Sequence, residues 1–181
     1  MIQFKKYNSI ENTFDKDFVE RIFLEGQDKQ EFVVQEKVHG SNVCFVTDGE
    51  TVGFGKRTGF VETDEKFYDY EELLERYTQK VMALFSIVKE KYPDIKTLTV
   101  FGEMFGGKYP HPDVKNSTKT MVIQKGVYYF PNHEFYAFDL YVNQTICYRK
   151  QVEQCCEQNR ADFRTERYRK IDWIVQQRHF G

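Results

Sequence analysis

The stretch Glu36-Lys37-Val38-His39-Gly40-Ser41-Asn42 stands between two runs of β character. Residues 31–35 before it read Glu-Phe-Val-Val-Gln, and residues 43–46 after it read Val-Cys-Phe-Val. Aromatic and β-branched residues favour strands, whereas glycine permits a tight bend and lets a ligand approach the backbone closely. The pattern predicts two strands joined by a bend that carries an amine, the side chain of Lys37.

The amine of Lys37 needs help from its surroundings to react. A lysine with the ordinary pKa of about 10.4 is protonated at neutral pH and is a poor nucleophile. Burial or nearby positive charge lowers that pKa and frees the amine. Asp48-Gly49 is a hairpin signal, and the returning strand brings Lys56 and Arg57 towards the bend, where they could also hold a triphosphate. The alternative is a solvated surface lysine, the commoner role at a strand end.

Two further segments carry residue types suited to a nucleotide. Glu103 interrupts the apolar run 97–105, and a carboxylate there is costly unless it is paired or faces a polar cleft, where it can accept ribose hydroxyl protons. Phe138 and Asp139 lie in the run 134–142, where an aromatic ring could stack on a purine and a carboxylate could meet a cation or hydroxyl. The alternatives are an outward-facing strand residue for Glu103 and a core aromatic for Phe138.

Hydrophobic periodicity predicts the remaining elements. A short helix over 15–24, capped near Asn12 and Thr13, is expected to turn Phe18, Ile22 and Phe23 inward, and a longer helix is expected over 70–92. Further predicted elements are strands at 51–55, 121–123, 127–130 and 145–148 and a helix over 150–158.

Composition limits the class of protein. The chain has 181 residues, of which 40% are hydrophobic, so it can form one domain with a core. The formal net charge of −2 excludes a uniformly basic nucleic-acid binder, and contact with a polynucleotide must come from a local patch. The four cysteines lack zinc-site spacing, and the start lacks an apolar leader. We therefore expect a reduced, intracellular, soluble protein without a zinc site.

The motifs together resemble the covalent nucleotidyltransferase superfamily of ATP-dependent ligases and capping guanylyltransferases. In order they are Glu-Lys-Val-His-Gly-Ser-Asn at 36–42, Lys-Arg-Thr-Gly at 56–59, Phe-Gly-Glu-Met-Phe-Gly-Gly at 101–107 and Phe-Tyr-Ala-Phe-Asp at 135–139. Within the superfamily the chain most resembles the phage-type RNA ligases that seal nicked double-stranded RNA, a group that includes the trypanosome editing ligases. Lys-x-His-Gly, in place of Lys-x-Asp-Gly, favours this group over DNA ligases and capping enzymes. The resemblance covers residues 1–158, including the opening residues 4–12.

The resemblance implies an α+β nucleotidyltransferase core, related to DNA ligases, mRNA capping enzymes and ATP-grasp folds. Antiparallel sheets with flanking helices would hold ATP in a cleft. Lys37 would take AMP from ATP with Mg²⁺ present, and AMP would then activate an RNA 5′-phosphate for attack by a 3′-hydroxyl at a nick. The implied partner is a nicked RNA duplex, and the expected state is a monomer.

The same resemblance implies a role for each site residue. Lys37 and His39 would be catalytic, and Lys56 and Asp139 are further candidates for phosphate or metal contact. The nucleotide-binding set is Glu36 and Val38 beside adenine, Asn42 near the phosphates, Arg57 on phosphate or ribose, Glu103 on ribose and Phe138 on the adenine ring.

Two later motifs of the superfamily, a Glu-Gly-x-Val strand and a Lys-x-Lys strand, are not found after the motif at 135–139. We therefore expect a partial adenylylation domain at 1–158 and a basic tail at 159–181. Our hypothesis is that the tail is translated out of frame; a truncation or a genuine short paralogue are the alternatives, and sequencing the gene distinguishes them. For function, the alternative is an inactive nucleotide- or RNA-binding remnant, while His39 disfavours a capping guanylyltransferase.

Overall fold

The apolar runs of the sequence form neighbouring strands of one antiparallel sheet. The structure is a computed structural model that describes residues 2–9, 14–29, 37–116 and 120–146. Its strands are β1 (Ser41–Thr47), β2 (Val52–Lys56), β3 (Gly59–Phe60), β4 (Leu98–Gly106), β5 (His133–Val142) and β6 (Thr145–Ile146), in the spatial order β3-β2-β1-β4-β5-β6. The helices are α1 (Lys16–Leu24) and α2 (Tyr70–Lys91), with a 3₁₀ turn at Gln27–Lys29. The predicted α+β class is confirmed.

The long helix α2 covers one face of the sheet. Its apolar positions, among them Leu73, Tyr77 and Leu84, recur at helical spacing and are buried, as the sequence predicts. They pack against alternate residues of the central strands, including Phe45 and Val100. This layer is the main core, and its packing fixes the positions of β1 and β4 and of the residues at their ends.

The opposite face of the sheet is covered by the N-terminal segment, residues 2–9. Ile2, Phe4 and Tyr7 pack on a second buried cluster that includes Cys44 and Phe101. Cys44 is only 1% exposed, and burial raises the pKa of its thiol to about 12, so this cysteine is part of the core. The N-terminal segment leaves room for a cavity on this face.

Several sequence expectations differ from the structure at the periphery. Helix α1 is capped by Asp15, whose carboxylate accepts the Asp17 and Phe18 amides, rather than near Asn12. None of its residues is buried, and Phe23 is 62% exposed, so the inward placement of Phe23 is wrong. The core on the helix-bearing face is filled by α2, which makes the other described helix peripheral.

The predicted strands at 121–123 and 127–130 are also wrong. This stretch is irregular; Ile123 donates a single backbone bond to Gly106, and Gly126 takes a left-handed φ of 81°, which interrupts an extended ladder.

The predicted strand at 31–35, the helix at 150–158 and the tail at 159–181 lie outside the described residues. None of the described helices is long and apolar enough to serve as a transmembrane span.

Candidate active site

A cavity of about 690 Å³ lies at the start of β1, on the sheet face that the N-terminal segment covers. Seven predicted site residues line it, drawn from four separate stretches of sequence: Lys37, Val38, His39, Asn42, Arg57, Glu103 and Phe138. Six other residues complete the lining: Tyr7, Asn8, Ser9, Gly40, Ser41 and Tyr136. The fold therefore brings the separated motifs to one place, with a volume that suits a small-molecule ligand.

The lysine bend, residues 37–40, is pressed against β4. The Gly40 amide donates a hydrogen bond of 3.0 Å to Glu103 Oε1. A Cβ on Gly40 would stand 2.1 Å from the Met104 carbonyl oxygen, far inside contact distance. The bend thus needs glycine because two backbones approach each other closely here, and not because the residue takes a left-handed φ.

Glu103 is a buried carboxylate in a cationic setting. It is 8% exposed, and its side chain faces the cavity because β4 alternates between the two faces. Burial raises its pKa, while the Gly40 hydrogen bond and the charges of Lys37, His39 and Arg57 oppose that rise. Such a group can accept hydroxyl hydrogen bonds from a sugar, and the surrounding cations can hold phosphate oxygens.

Phe138 reaches the cavity through an irregularity in the sheet. Phe101 pairs with Asp139 and Gly102 pairs with Ala137, so Phe138 is an extra residue in β5. A β-bulge of this kind re-aims a side chain. The Phe138 ring packs edge-on against Tyr7, with centroids 5.1 Å apart, and keeps part of its surface towards the cavity. An aromatic wall of this kind can stack on a base.

Two candidate phosphate or metal contacts point elsewhere. The Lys56 ammonium pairs with Glu65 and lowers the pKa of that carboxyl. Asp139 accepts a hydrogen bond from the Tyr7 hydroxyl. Neither Lys56 nor Asp139 lines the cavity. Glu36 lies outside the described residues.

The described residues of the cavity offer few acidic side chains as metal ligands. Within the described ranges, no three His, Cys, Asp or Glu side chains are grouped to hold an ion. Glu103 is the one carboxylate in the described lining of the cavity. Mg²⁺ usually keeps several waters and binds through one or two carboxylates together with substrate phosphates. With one carboxylate in its described lining, the cavity would hold a divalent metal mainly through the phosphate groups of a ligand.

Some residues at the cavity and at the lysine bend carry no local signal in the sequence. Tyr7, Asn8 and Ser9 reach the cavity because the N-terminal segment crosses the sheet, a long-range event that local pattern does not predict. The resemblance of residues 4–12 to the ligase N-terminus was the available hint. Gln124 and Tyr129 contact the lysine bend from a stretch expected to form plain strands.

The family model and similar curated proteins agree on one family. The RNA ligase family model matches residues 30–178. Over 143 residues the chain is 32% identical to the mitochondrial RNA-editing ligase 1 of Trypanosoma brucei brucei, covering 67% of this chain and 30% of that protein. RNA-editing ligase 2 of the same organism is 27% identical over 157 residues, covering 78% of this chain and 38% of the relative. The chain thus spans about a third of the length of these curated relatives.

Solved structures agree on the fold. A Naegleria gruberi RNA ligase variant with AMP and Mn superposes with a TM-score of 0.50 at 14% identity, over 78% of this chain and 36% of that one. The same ligase with PPi gives a TM-score of 0.50 at 14% identity, over 81% of this chain and 38% of that one. Because the family match covers most of the sequence and includes the lysine bend, Arg57, Glu103 and Phe138, this chain belongs to the RNA ligase family.

Proposed function

We propose that this chain carries the adenylylation chemistry of an ATP-dependent RNA ligase. The observation that supports this proposal most strongly is that one cavity is lined by residues from separate motifs: Lys37, Arg57, Glu103 and Phe138. Family membership supports the reaction class, and the Naegleria gruberi relatives with ATP, AMP, PPi or Mn support a nucleotide and a divalent metal as ligands. The proposal includes Mg²⁺ as that metal and AMP linked to Lys37.

In the first step the Lys37 amine, having lost its proton to solvent, attacks the α-phosphorus of ATP. A P–N bond forms, the bond from the α-phosphorus to the bridging oxygen breaks, and pyrophosphate leaves with the electron pair. Arg57 supplies positive charge beside the phosphates, where preorganised charge lowers the barrier, and His39 helps to orient the phosphates and the nucleophile. Magnesium bound with ATP would offset charge on the leaving group.

The rest of the cavity binds the nucleoside. Glu103 accepts hydrogen bonds from ribose hydroxyls, and Phe138 stacks on the adenine. Val38, which is 5% exposed, offers apolar contact beside the ring, and Asn42 orients the phosphates. These contacts hold the α-phosphorus within reach of Lys37, which makes the attack effectively unimolecular.

In the later steps the AMP is used to join RNA ends. An oxygen of the RNA 5′-phosphate attacks the α-phosphorus and the P–N bond breaks, which restores the lysine. A 3′-hydroxyl then attacks the activated 5′-phosphorus and expels AMP. We propose a nicked RNA duplex as the substrate and a monomer as the acting form. Because the chain spans about a third of the length of its curated relatives, sealing is tested separately from adenylylation.

The test is covalent labelling with α-labelled ATP and Mg²⁺, followed by a denaturing gel. We expect label on the wild type, none on Lys37→Ala and normal label on Lys89→Ala, an exposed lysine of α2. Unlabelled wild-type protein contradicts the proposal and leaves an inactive remnant. Label from GTP in place of ATP would indicate capping chemistry, and sealing of a nicked RNA duplex tests the later steps.

A further inference from the structure

The backbone of the lysine bend is held by side chains from residues 120–130, here called the support segment. The Tyr129 hydroxyl accepts a hydrogen bond of 3.2 Å from the His39 amide. The Gln124 side-chain amide donates a bond of 2.9 Å to the Gly40 carbonyl. The peptide group that precedes His39 and the one that follows Gly40 are therefore tied to one segment that is distant in sequence.

The support segment is itself anchored to the sheet. Ile123 donates a backbone bond of 3.3 Å to Gly106 at the end of β4. The Nε2–H of His133, a residue 2% exposed, donates to the Met121 carbonyl over 2.6 Å. The Tyr129 ring packs edge-on against Phe105 with centroids 5.6 Å apart. Gln124 and Tyr129 thus reach the bend from a fixed base.

The bend depends on such contacts because it precedes the strand ladder. Pairing between β1 and β4 begins at Ser41 and Met104, so residues 37–40 have no ladder partner within the described chain. The Gly40 amide is bonded to Glu103, and the neighbouring polar groups are bonded to Tyr129 and Gln124. Losing either contact would free a peptide group of the bend that carries Lys37.

We propose that Gln124 and Tyr129 are positioning residues for Lys37. Neither residue lines the cavity, so neither is expected to touch the nucleotide; each acts through the backbone of the bend. The inference rests on the proposed function, because it assigns these residues to the step in which the amine meets the α-phosphorus. A misplacement of about 1 Å can slow such a step severely while ground-state binding is kept.

The test uses variants that remove one polar contact and keep the bulk of the side chain. Tyr129→Phe keeps the ring on Phe105, and Gln124→Met keeps the length of the side chain. The matched controls are Tyr128→Phe, next along the chain, and Gln79→Met on the exposed face of α2. We expect the labelling rate at saturating ATP to fall about threefold to tenfold in the two test variants, with the ATP concentration for half-maximal rate within about twofold of wild type. The controls keep both values.

A second measurement tests the order of the lysine bend in the absence of ATP. Hydrogen exchange at the His39 and Gly40 amides, followed by NMR in the full chain, is expected to speed up in both test variants and stay unchanged in both controls. Unchanged exchange overturns the inference, as does a weakened ATP dependence with an unchanged maximal rate. If the wild type takes no label, the proposed function fails, and exchange alone decides whether these side chains order the bend.

Discussion

Replacing Gly40 by alanine is the most informative single change at this site. The new Cβ would lie 2.1 Å from the Met104 carbonyl oxygen, 2.9 Å from the Met104 carbonyl carbon and 3.1 Å from Glu103 Cγ. The two closest atoms are backbone, which cannot rotate away as a side chain would. Either the bend withdraws from β4 or the start of the β1–β4 ladder opens.

The size of the effect follows from that overlap. Relief of the contact requires a movement of about 1 Å, since non-bonded carbon and oxygen atoms repel steeply at closer range. Overpacking of this kind typically costs about 1 to 3 kcal/mol in the free energy of unfolding. The same movement lengthens the Gly40–Glu103 hydrogen bond of 3.0 Å and shifts Lys37, and a displacement of about 1 Å can reduce a reaction rate about a hundredfold.

The assay compares Gly40→Ala with Gly59→Ala, whose added Cβ meets nothing within 4 Å. Urea unfolding gives the stability of each variant, and labelling with α-labelled ATP gives the rate of adenylylation. We expect Gly40→Ala to lose both stability and about two orders of magnitude in rate, while Gly59→Ala keeps its rate. A Gly40→Ala protein that labels at the wild-type rate would refute the view that close approach of the bend to β4 places Lys37.

Three further predictions concern the cavity walls. Tyr7→Phe removes the hydroxyl bonded to Asp139 but keeps the ring on Phe138. We expect urea unfolding to show a loss of about 1.5 to 3 kcal/mol in the free energy of unfolding, the range for hydrogen bonds to charged groups, and a variant as stable as wild type would contradict this expectation. Because burial raises the pKa of Glu103 above the ordinary value of a glutamic acid, the folded state holds this proton more tightly than the unfolded state. The contribution of Glu103 to stability must therefore fall as pH rises from about 4.5 through the raised pKa. Over that pH range we expect the stability of Glu103→Gln to improve relative to wild type. If urea unfolding shows the same difference in stability between the two proteins from pH 4 to 7, the burial of Glu103 does not raise its pKa. Arg57→Ala is expected to weaken ATP binding in calorimetry, since Arg57 lines the cavity, whereas Lys56→Ala leaves it near wild type because Lys56 faces Glu65; equal losses would show that Lys56 also reaches the phosphates.

The sequence predicted the central elements because their signals are local. The helix expected at 70–92 is found at Tyr70–Lys91, and the run expected at 97–105 is β4, Leu98–Gly106. Both have strong periodicity and clear ends, and the hairpin at Asp48-Gly49 depends on two residues whose turn preference is intrinsic. Lys37 and Glu103 became candidates through the ordered set of motifs at 36–42, 56–59, 101–107 and 135–139, because each residue taken alone is also compatible with an ordinary surface or strand position.

The remaining features depend on contacts between distant segments. Lys56 was grouped with Arg57 by sequence, but adjacent residues near a strand end point in different directions, and Glu65 is available to pair with Lys56. The approach of Phe138 to the cavity depends on the register shift between β4 and β5, which no local pattern encodes. Tyr7 and Tyr129 act through a bond to a residue 132 positions away and one 90 positions away, respectively.

The measurement closest to the central claim is the location of AMP on the protein. The wild type is incubated with ATP and Mg²⁺, digested, and analysed by mass spectrometry under conditions that preserve a P–N bond. We predict one adenylylated peptide, with AMP on Lys37, which disappears on addition of pyrophosphate as the first step reverses. AMP attached at a different residue, or no adduct on any peptide, would contradict the assignment of Lys37 as the nucleophile.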